Sequence, residues 1–244
     1  MNSERNSGIR VLISAFIGVV KHGLRPTQEI KQTPYEPKPY NTPEMLGHKW
    51  QMDVKYVPRE CNKGTFRKEW YYQYTIIDEA TRERFLYPFK EKSGYSTAEF
   101  VKRAIVHFGY VPEIIQTDNG TEFTNPQWAK PDTVHILDKL LNRLHIKHQL
   151  IRVRTPRHNG KVERSHRSDQ EAFYNHLTFT TYEELKEKMQ AWNIRYNNRP
   201  HSQLRDKDGK RVWFTPLQKR AELLELLKEN REKYRVRFLK SSAA

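Results

Sequence analysis

Ile114-Ile115-Gln116-Thr117-Asp118-Asn119-Gly120-Thr121-Glu122-Phe123 is a stretch that ends a strand with an acid. Ile114 and Ile115 form a short apolar run after Pro112, and Asn119-Gly120 is a strong turn signal, so Asp118 stands where a buried strand opens into a loop. A carboxylate held there by a rigid sheet, yet reached by solvent, can bind a metal ion. Asp-Asn-Gly alone is more often only a turn, so a role for Asp118 depends on partners elsewhere in the chain.

Upstream, Lys49 to Val57 alternates, with Trp50, Met52, Val54 and Tyr56 on one face and Gln51, Asp53 and Lys55 on the other. If this strand is central, its second face is covered too, and Asp53 needs a partner or a cation; on an edge strand it would simply pair with Lys55 or an arginine. Trp70–Ile77 and Glu83–Phe89 read as two further strands of an antiparallel meander. Ser96 and Glu99 make a capping box ahead of Phe100, Ala104, Ile105 and Phe108, a helix that Gly109 stops. Strand Glu113–Thr117, a helix over Val134–Leu144 and strand Lys147–Ile151 follow. Strands in a run and then alternating with helices predict an α/β fold, a mixed sheet flanked by helices.

After the break Thr155-Pro156-Arg157-His158-Asn159-Gly160, a polar helix is expected from Asn159 to His176. At about 100° per residue, with Glu163 at zero, Val162, His166 and Phe173 fall near about −100°, −60° and −80°, whereas Gly160, Arg167, Arg164 and Ser168 fall near about +60°, +40°, +100° and +140°. Glu163 thus lies on the seam between a flank that packs and a basic flank open to a phosphate backbone. An ordinary ion pair with Arg167 at i,i+4 is the plainer alternative. Thr181 and Glu184 cap a helix carrying Leu185, Met189, Trp192 and Tyr196 as core residues. Thr215-Pro216-Leu217-Gln218 caps another, with Leu217, Ala221, Leu224 and Leu227 on its apolar face, before a basic, strand-like Tyr234–Leu239.

The 244 residues allow one sizeable domain with appendages. A formal net charge of +15 and 12% aromatic residues point to a polyanionic partner, with nucleic acid foremost. Seven Lys or Arg against one acid lie between Lys147 and Arg167, and thirteen against six between Arg199 and Lys240. The single cysteine, Cys61, permits neither an internal disulfide nor a cysteine-based zinc site and suits a reducing compartment. The apolar run Val11–Val20 is too short to span a bilayer and lacks a signal-peptide cleavage site, so no membrane association is expected. Pro34, Pro37, Pro39 and Pro43 mark an extended linker.

Three motifs in order, Trp-Gln-Met-Asp53, Thr-Asp118-Asn-Gly-Thr-Glu-Phe and Pro-Arg-His-Asn-Gly-Lys-Val-Glu163-Arg, resemble the retroviral-integrase-type catalytic core of bacterial insertion-sequence transposases. Tyr196-Asn197, Arg199-Pro200-His201 and Thr215-Pro216 resemble the C-terminal markers of that family of DDE-type transposases and integrases. The resemblance implies a ribonuclease-H-like five-stranded mixed sheet with a short basic C-terminal extension, and Asp53, Asp118 and Glu163 as an acidic triad holding two divalent ions, Mg²⁺ or Mn²⁺. It further implies cleavage at an element's DNA ends and strand transfer to target DNA, by a homo-oligomer, in the bacterial nucleoid. A nuclease of the same fold without strand transfer, and a DNA-binding remnant without catalysis, are the alternatives. Expected domains are 1–25, a remnant of a helix-turn-helix region in a truncated chain; 26–46, the linker; 47–200, the core; and 201–244, the extension. Asp118 and Glu163 have 44 residues between them, against about 35 in the usual signature, which places an insertion in Thr124–Pro131. Arg157, His158, Lys161, Arg164 and Arg167 are the expected DNA contacts near the triad, and Lys233, Arg235 and Arg237 those of the tail. Asp78 and Glu122 are expected to be structural.

Overall fold

The computed structural model describes residues 42–65, 68–126, 128–130, 132–151, 159–206, 208–230 and 232–239. Expectations for residues 1–25, for the linker as far as residue 41, and for Arg157 and His158 lie outside them. In chain order the elements are β1 (Lys49–Tyr56), β2 (Tyr72–Asp78), β3 (Arg84–Phe89), α1 (Gly94–Phe108), β4 (Tyr110–Val111), β5 (Ile114–Thr117), α2 (Ile136–Arg143), β6 (Lys147–Leu150), α3 (Gly160–Ala172), α4 (Tyr182–Asn197), α5 (Pro216–Glu229) and β7 (Arg237–Phe238).

Alternation along β1 works as expected for a central strand. Trp50 and Met52 are fully buried on one face, and Gln51 is buried on the other. β2 pairs antiparallel with β1, and β3 antiparallel with β2; β5 lies parallel to β1 on its other side and β6 parallel to β5. The order β3-β2-β1-β5-β6, with helices on the sheet, is the ribonuclease-H-like arrangement. Trp50, Met52, Tyr74 and Ile76 pack against Phe100, Ala104 and Phe108 of α1 and Leu137 and Leu141 of α2. A second apolar cluster joins Leu86 to Tyr174, Phe179, Leu185, Met189 and Trp192. Asp78 is a turn residue, as expected: its buried carboxylate accepts the N–H groups of Gly47, Ala80 and Thr81, the Trp50 indole and the Tyr110 hydroxyl.

Three local expectations are corrected. α1 starts a turn early, because Ser93 rather than Ser96 caps it, its hydroxyl accepting the Ser96 N–H. α3 stops at Ala172 instead of His176, since Phe173 breaks off to stack on Trp192 at 5.6 Å and a 3-10 turn, Tyr174–His176, buries Tyr174 in the second cluster. The capping box of Thr215 and Gln218 forms, but α5 is rolled so that Leu223 is buried while Leu217 and Ala221 are exposed. Arg220 sets that roll: it binds the buried Glu83 at 2.8 Å and the Phe108 carbonyl at 2.7 Å. The chain after α5 packs on the same core, with Tyr234 and Val236 against it and β7 paired to β4.

Candidate active site

Strand register brings the first two acids together. Gln51 of β1 lies beside Gln116 of β5 in a parallel pair, so Asp53 and Asp118, each two residues further on, fall side by side, Asp53 within β1 and Asp118 just past the end of β5. Because side chains repeat every second residue, both share the face of Gln51.

α3 lies along that face. The Gln51 side-chain oxygen accepts the backbone N–H groups of Lys161 at 3.0 Å and Val162 at 3.3 Å, donors that a helix start leaves unsatisfied. Further along, Asp53 approaches His166 at 3.4 Å and Lys55 approaches Gln170 at 3.5 Å. Four helical residues rise about 6 Å, close to the roughly 6.6 Å of two strand residues, so helix and strand stay in step over these contacts. Glu163, in the first turn of α3, is thereby carried toward Asp53 and Asp118, near enough for their charges to act on one another.

Electrostatics report the same convergence. The Asp53 carboxyl is pushed up to about 7, by burial first and then by repulsion from Asp118, Glu163 and Glu122, against the Val54 N–H that stabilises its anion. Glu163 is also raised, by desolvation and then by Asp118. His166 is driven down to about 4 by burial, with Lys55 and Arg84 opposing its charge and Asp169 favouring it. A neutral imidazole therefore rests against Asp53, and its Nε2 is buried with no partner among the described residues.

The loop after β5 is clamped at several points. Asp118 accepts the Gly120 N–H at 2.9 Å, and the Asn119 amide donates to the Ile151 carbonyl at 3.0 Å. Below it, Asp138 bonds His148 at 2.6 Å, His148 bonds the Thr117 hydroxyl at 2.9 Å, and that hydroxyl reaches the Asp118 carbonyl at 2.9 Å. Glu122 folds over Gly120, where a Cβ would meet its carboxyl at 2.7 Å, and pairs with Lys92 at 2.9 Å. It is structural, as expected, but it also adds negative charge at Asp53.

The expected DNA contacts divide. Arg164 and Arg167 are exposed on α3. Lys161 is not: its ammonium binds buried Glu79 at 2.7 Å, and its side chain is only 15% exposed, so it ties α3 to the β2–β3 turn rather than facing DNA. In the tail, Arg237 donates to the Leu144 and Pro112 carbonyls, Lys233 lies 3.6 Å from Glu44, and Arg235 is exposed. Sequence reasoning missed Gln51, His166 and the Asp138–His148–Thr117 chain; only His166 left a signal, three residues after Glu163 on the packing flank.

Among the described residues, no three carboxylate, histidine or cysteine side chains stand close enough to enclose a metal ion. The chemistry of the donors would still suit a hard divalent cation, since Asp53, Asp118 and Glu163 offer only carboxylate oxygens and the latter two press their charge on Asp53. That crowding has a measurable consequence. The folded Asp53 value of about 7 exceeds its ordinary 3.8, so its stabilising effect is complete below pH 4 and is lost as pH rises to about 7. Metal-free Asp53→Asn is expected to lack this part of the slope and to exceed the parent by a few kcal/mol at pH 8, on the order of 1.4 kcal/mol per pH unit. Urea denaturation of both proteins at pH 4 and pH 8 reads it; equal slopes would mean that Asp53 is neither buried nor crowded enough to raise its carboxyl.

Residues 43–156 match the family model of the integrase core domain, and residues 144–208 match a second integrase core domain model. The matches support an integrase/transposase-type core domain over this stretch. Among individual relatives is the putative integrase ORF3 of Spiroplasma virus SpV1-C74, 33% identical over 164 residues, 63% of this chain and 44% of that protein. The chain thus spans less than half the length of this curated relative. Similar solved structures include the simian T-cell lymphotropic virus intasome in complex with PP2A regulatory subunit B56 gamma, with a TM-score of 0.49, 18% identity, and coverage of 76% of this chain and 61% of that one. The HTLV-2 integrase catalytic core domain with magnesium gives 0.44 and 21%, covering 70% of this chain and 97% of that one. The BIV integrase core domain gives 0.48 and 19%, covering 78% and 99%. No helix among the described residues is long and apolar enough to cross a membrane.

Proposed function

We propose that the chain is a DDE-type transposase/integrase of a mobile DNA element of the insertion-sequence kind, which cuts DNA at the element's ends and joins the freed 3′-hydroxyl to target DNA. The observation that carries this reading is the alignment of Asp53 with Asp118 through the β1–β5 register, with α3 pinned across them by Gln51. Asp53, Asp118 and Glu163 would hold Mg²⁺ or Mn²⁺. When bound, two such ions supply the chemistry of in-line phosphoryl transfer, activation of the attacking hydroxyl and relief of charge on the leaving oxygen.

The chain's own residues supply position. Gln51 and the Lys161–Glu79 pair fix where α3 begins, and so where Glu163 stands. His166, neutral and mostly buried, backs the Asp53 carboxylate without competing for its charge. Arg164 and Arg167 guide the scissile strand by its phosphates, together with Arg157 and His158, and Arg235 contacts DNA without regard to sequence. Joining two ends at once calls for a homo-oligomer.

The test uses the full chain, supercoiled plasmid and a labelled duplex with a free 3′-hydroxyl, with Mn²⁺ or Mg²⁺. Nicked plasmid and label joined to it are expected, with a DNA-bound species larger than one chain on sedimentation. Nicking without joining would make the chain a nuclease, and DNA binding without nicking would make it a remnant.

A further inference from the structure

At the C-terminal end of β1 an aromatic and cationic patch faces water. Tyr56 is 52% exposed and Trp70 43%. Their rings meet edge-on at 5.1 Å, Tyr72 lies 5.2 Å from Tyr56, and the Arg59 guanidinium lies 3.4 Å over the Trp70 ring. Tyr56 and Tyr72 are cross-strand partners, so sheet packing accounts for that pair. It does not account for Trp70 and Arg59, which lie outside the strands and hold a large apolar face at the surface.

The patch borders the acidic loop. Lys92 is 6.0 Å from the Tyr56 ring and 2.9 Å from Glu122, whose carboxyl covers Gly120 two residues beyond Asp118. Lys92 also feels the charge of Asp118. One cation therefore bridges the aromatic rings and the loop that presents the acid.

We propose that Tyr56, Trp70 and Arg59 form a stacking platform for an unpaired base of the DNA strand entering the acidic site, with Lys92 beside the intervening phosphate. The proposal rests on the DNA-cutting reading. Every base has a π-face, so an aromatic platform holds single strands whatever their sequence. Arg59, already 3.4 Å over the Trp70 ring, adds a planar cation to it. Bases inside a duplex keep their faces to themselves, so the platform favours a frayed end over an intact helix. Strand separation beside the acids would then be held open by stacking while the phosphates carry the charge contacts.

The test is binding of the full chain, without added metal, to a labelled oligo-dT strand and to a blunt duplex, followed by fluorescence anisotropy. Trp70→Ala and Tyr56→Ala should each weaken oligo-dT binding roughly five- to a hundredfold and duplex binding less than about twofold, while Trp70→Phe retains most of the affinity. Because Tyr56→Ala also disturbs the Tyr72 pair, Arg59→Lys provides a variant that leaves the rings in place and keeps the charge; it should lose oligo-dT affinity alone. Trp213→Ala, an exposed tryptophan elsewhere at 71%, should change nothing. Unchanged oligo-dT binding in Trp70→Ala and Arg59→Lys, or equal losses for both DNAs, overturns the proposal; the latter would mark plain charge attraction. Metal-dependent nicking by the same variants separates this outcome from a failure of the DNA-cutting reading, which would abolish nicking in the parent chain while leaving stacking measurable.

Discussion

Asp118→Asn is expected to lose metal-dependent strand cleavage by about a thousandfold or more, with the fold and most DNA binding retained. A catalytic ion contributes several kcal/mol to the transition state, and each roughly 1.4 kcal/mol is tenfold in rate. The amide keeps the shape of the carboxylate and can still accept the Gly120 N–H at Oδ1, so the turn that positions it survives. Asp53→Asn likewise keeps an acceptor for Val54, and Glu163→Gln sits exposed on its helix. Loss of activity would therefore report lost charge rather than lost structure. Nicking with Mn²⁺, paired with melting curves at zero and millimolar metal, separates the two. The parent should melt higher with metal because the ions bind the native state and relieve repulsion. A variant that cuts at the parent rate excludes that residue from the site.

Much of this site was legible in the sequence because its parts obey local rules. Asp53 falls opposite Trp50 and Met52 by strand alternation, and Asp118 follows an apolar run and precedes a turn. Glu163 was readable only as a helical residue on a seam, because the side of α3 that meets the sheet is settled from a distance. Glu79, at the end of β2, draws in Lys161, and Gln51 accepts the helix's first N–H groups. Neither contact leaves a periodic trace, so Lys161 read as one more basic residue on an open flank. The same limit applies to the tail, where Arg237 looked like a DNA contact until the Leu144 and Pro112 carbonyls were brought to it by β4–β7 pairing. The marker Tyr196-Asn197 proves to be architectural: the Asn197 amide bonds both backbone groups of Arg84, and the Tyr196 ring lies 3.7 Å from its guanidinium.

Arg84 is also the key to the largest stability effect expected. Its Nη1 bonds Asp169 of α3 at 2.7 Å, with both side chains fully buried, while its Nε and Nη2 have no partner among the described residues. Asp169 further accepts the Trp192 indole and the Gln73 amide, each at 2.7 Å. Burial opposes ionisation of Asp169, but Arg84 and these two donors outweigh it and hold its pKa below the usual value. Asp169→Ala would strand a buried guanidinium and two donors, and is expected to cost about 3–5 kcal/mol. Asp169→Asn should fall between, since one end of an amide cannot accept. Replacing both charges, as in Arg84→Met with Asp169→Leu, should cost less than Asp169→Ala alone, because the desolvation of both ions disappears with them. The pH dependence has a definite sign: a depressed carboxyl contributes stability above its unfolded value near 3.9, and that contribution is lost as pH falls through the lower folded value. Urea denaturation at pH 7 and pH 3 should therefore show the parent and Asp169→Asn drawing closer in acid. Asp169 sits six residues along α3 from Glu163, so the same loosening should reduce cleavage in the chains that stay folded. An Asp169→Ala chain within about 1 kcal/mol of the parent would mean that water or a rearranged partner satisfies Arg84, and that α3 is held to the sheet chiefly by Gln51 and Lys161.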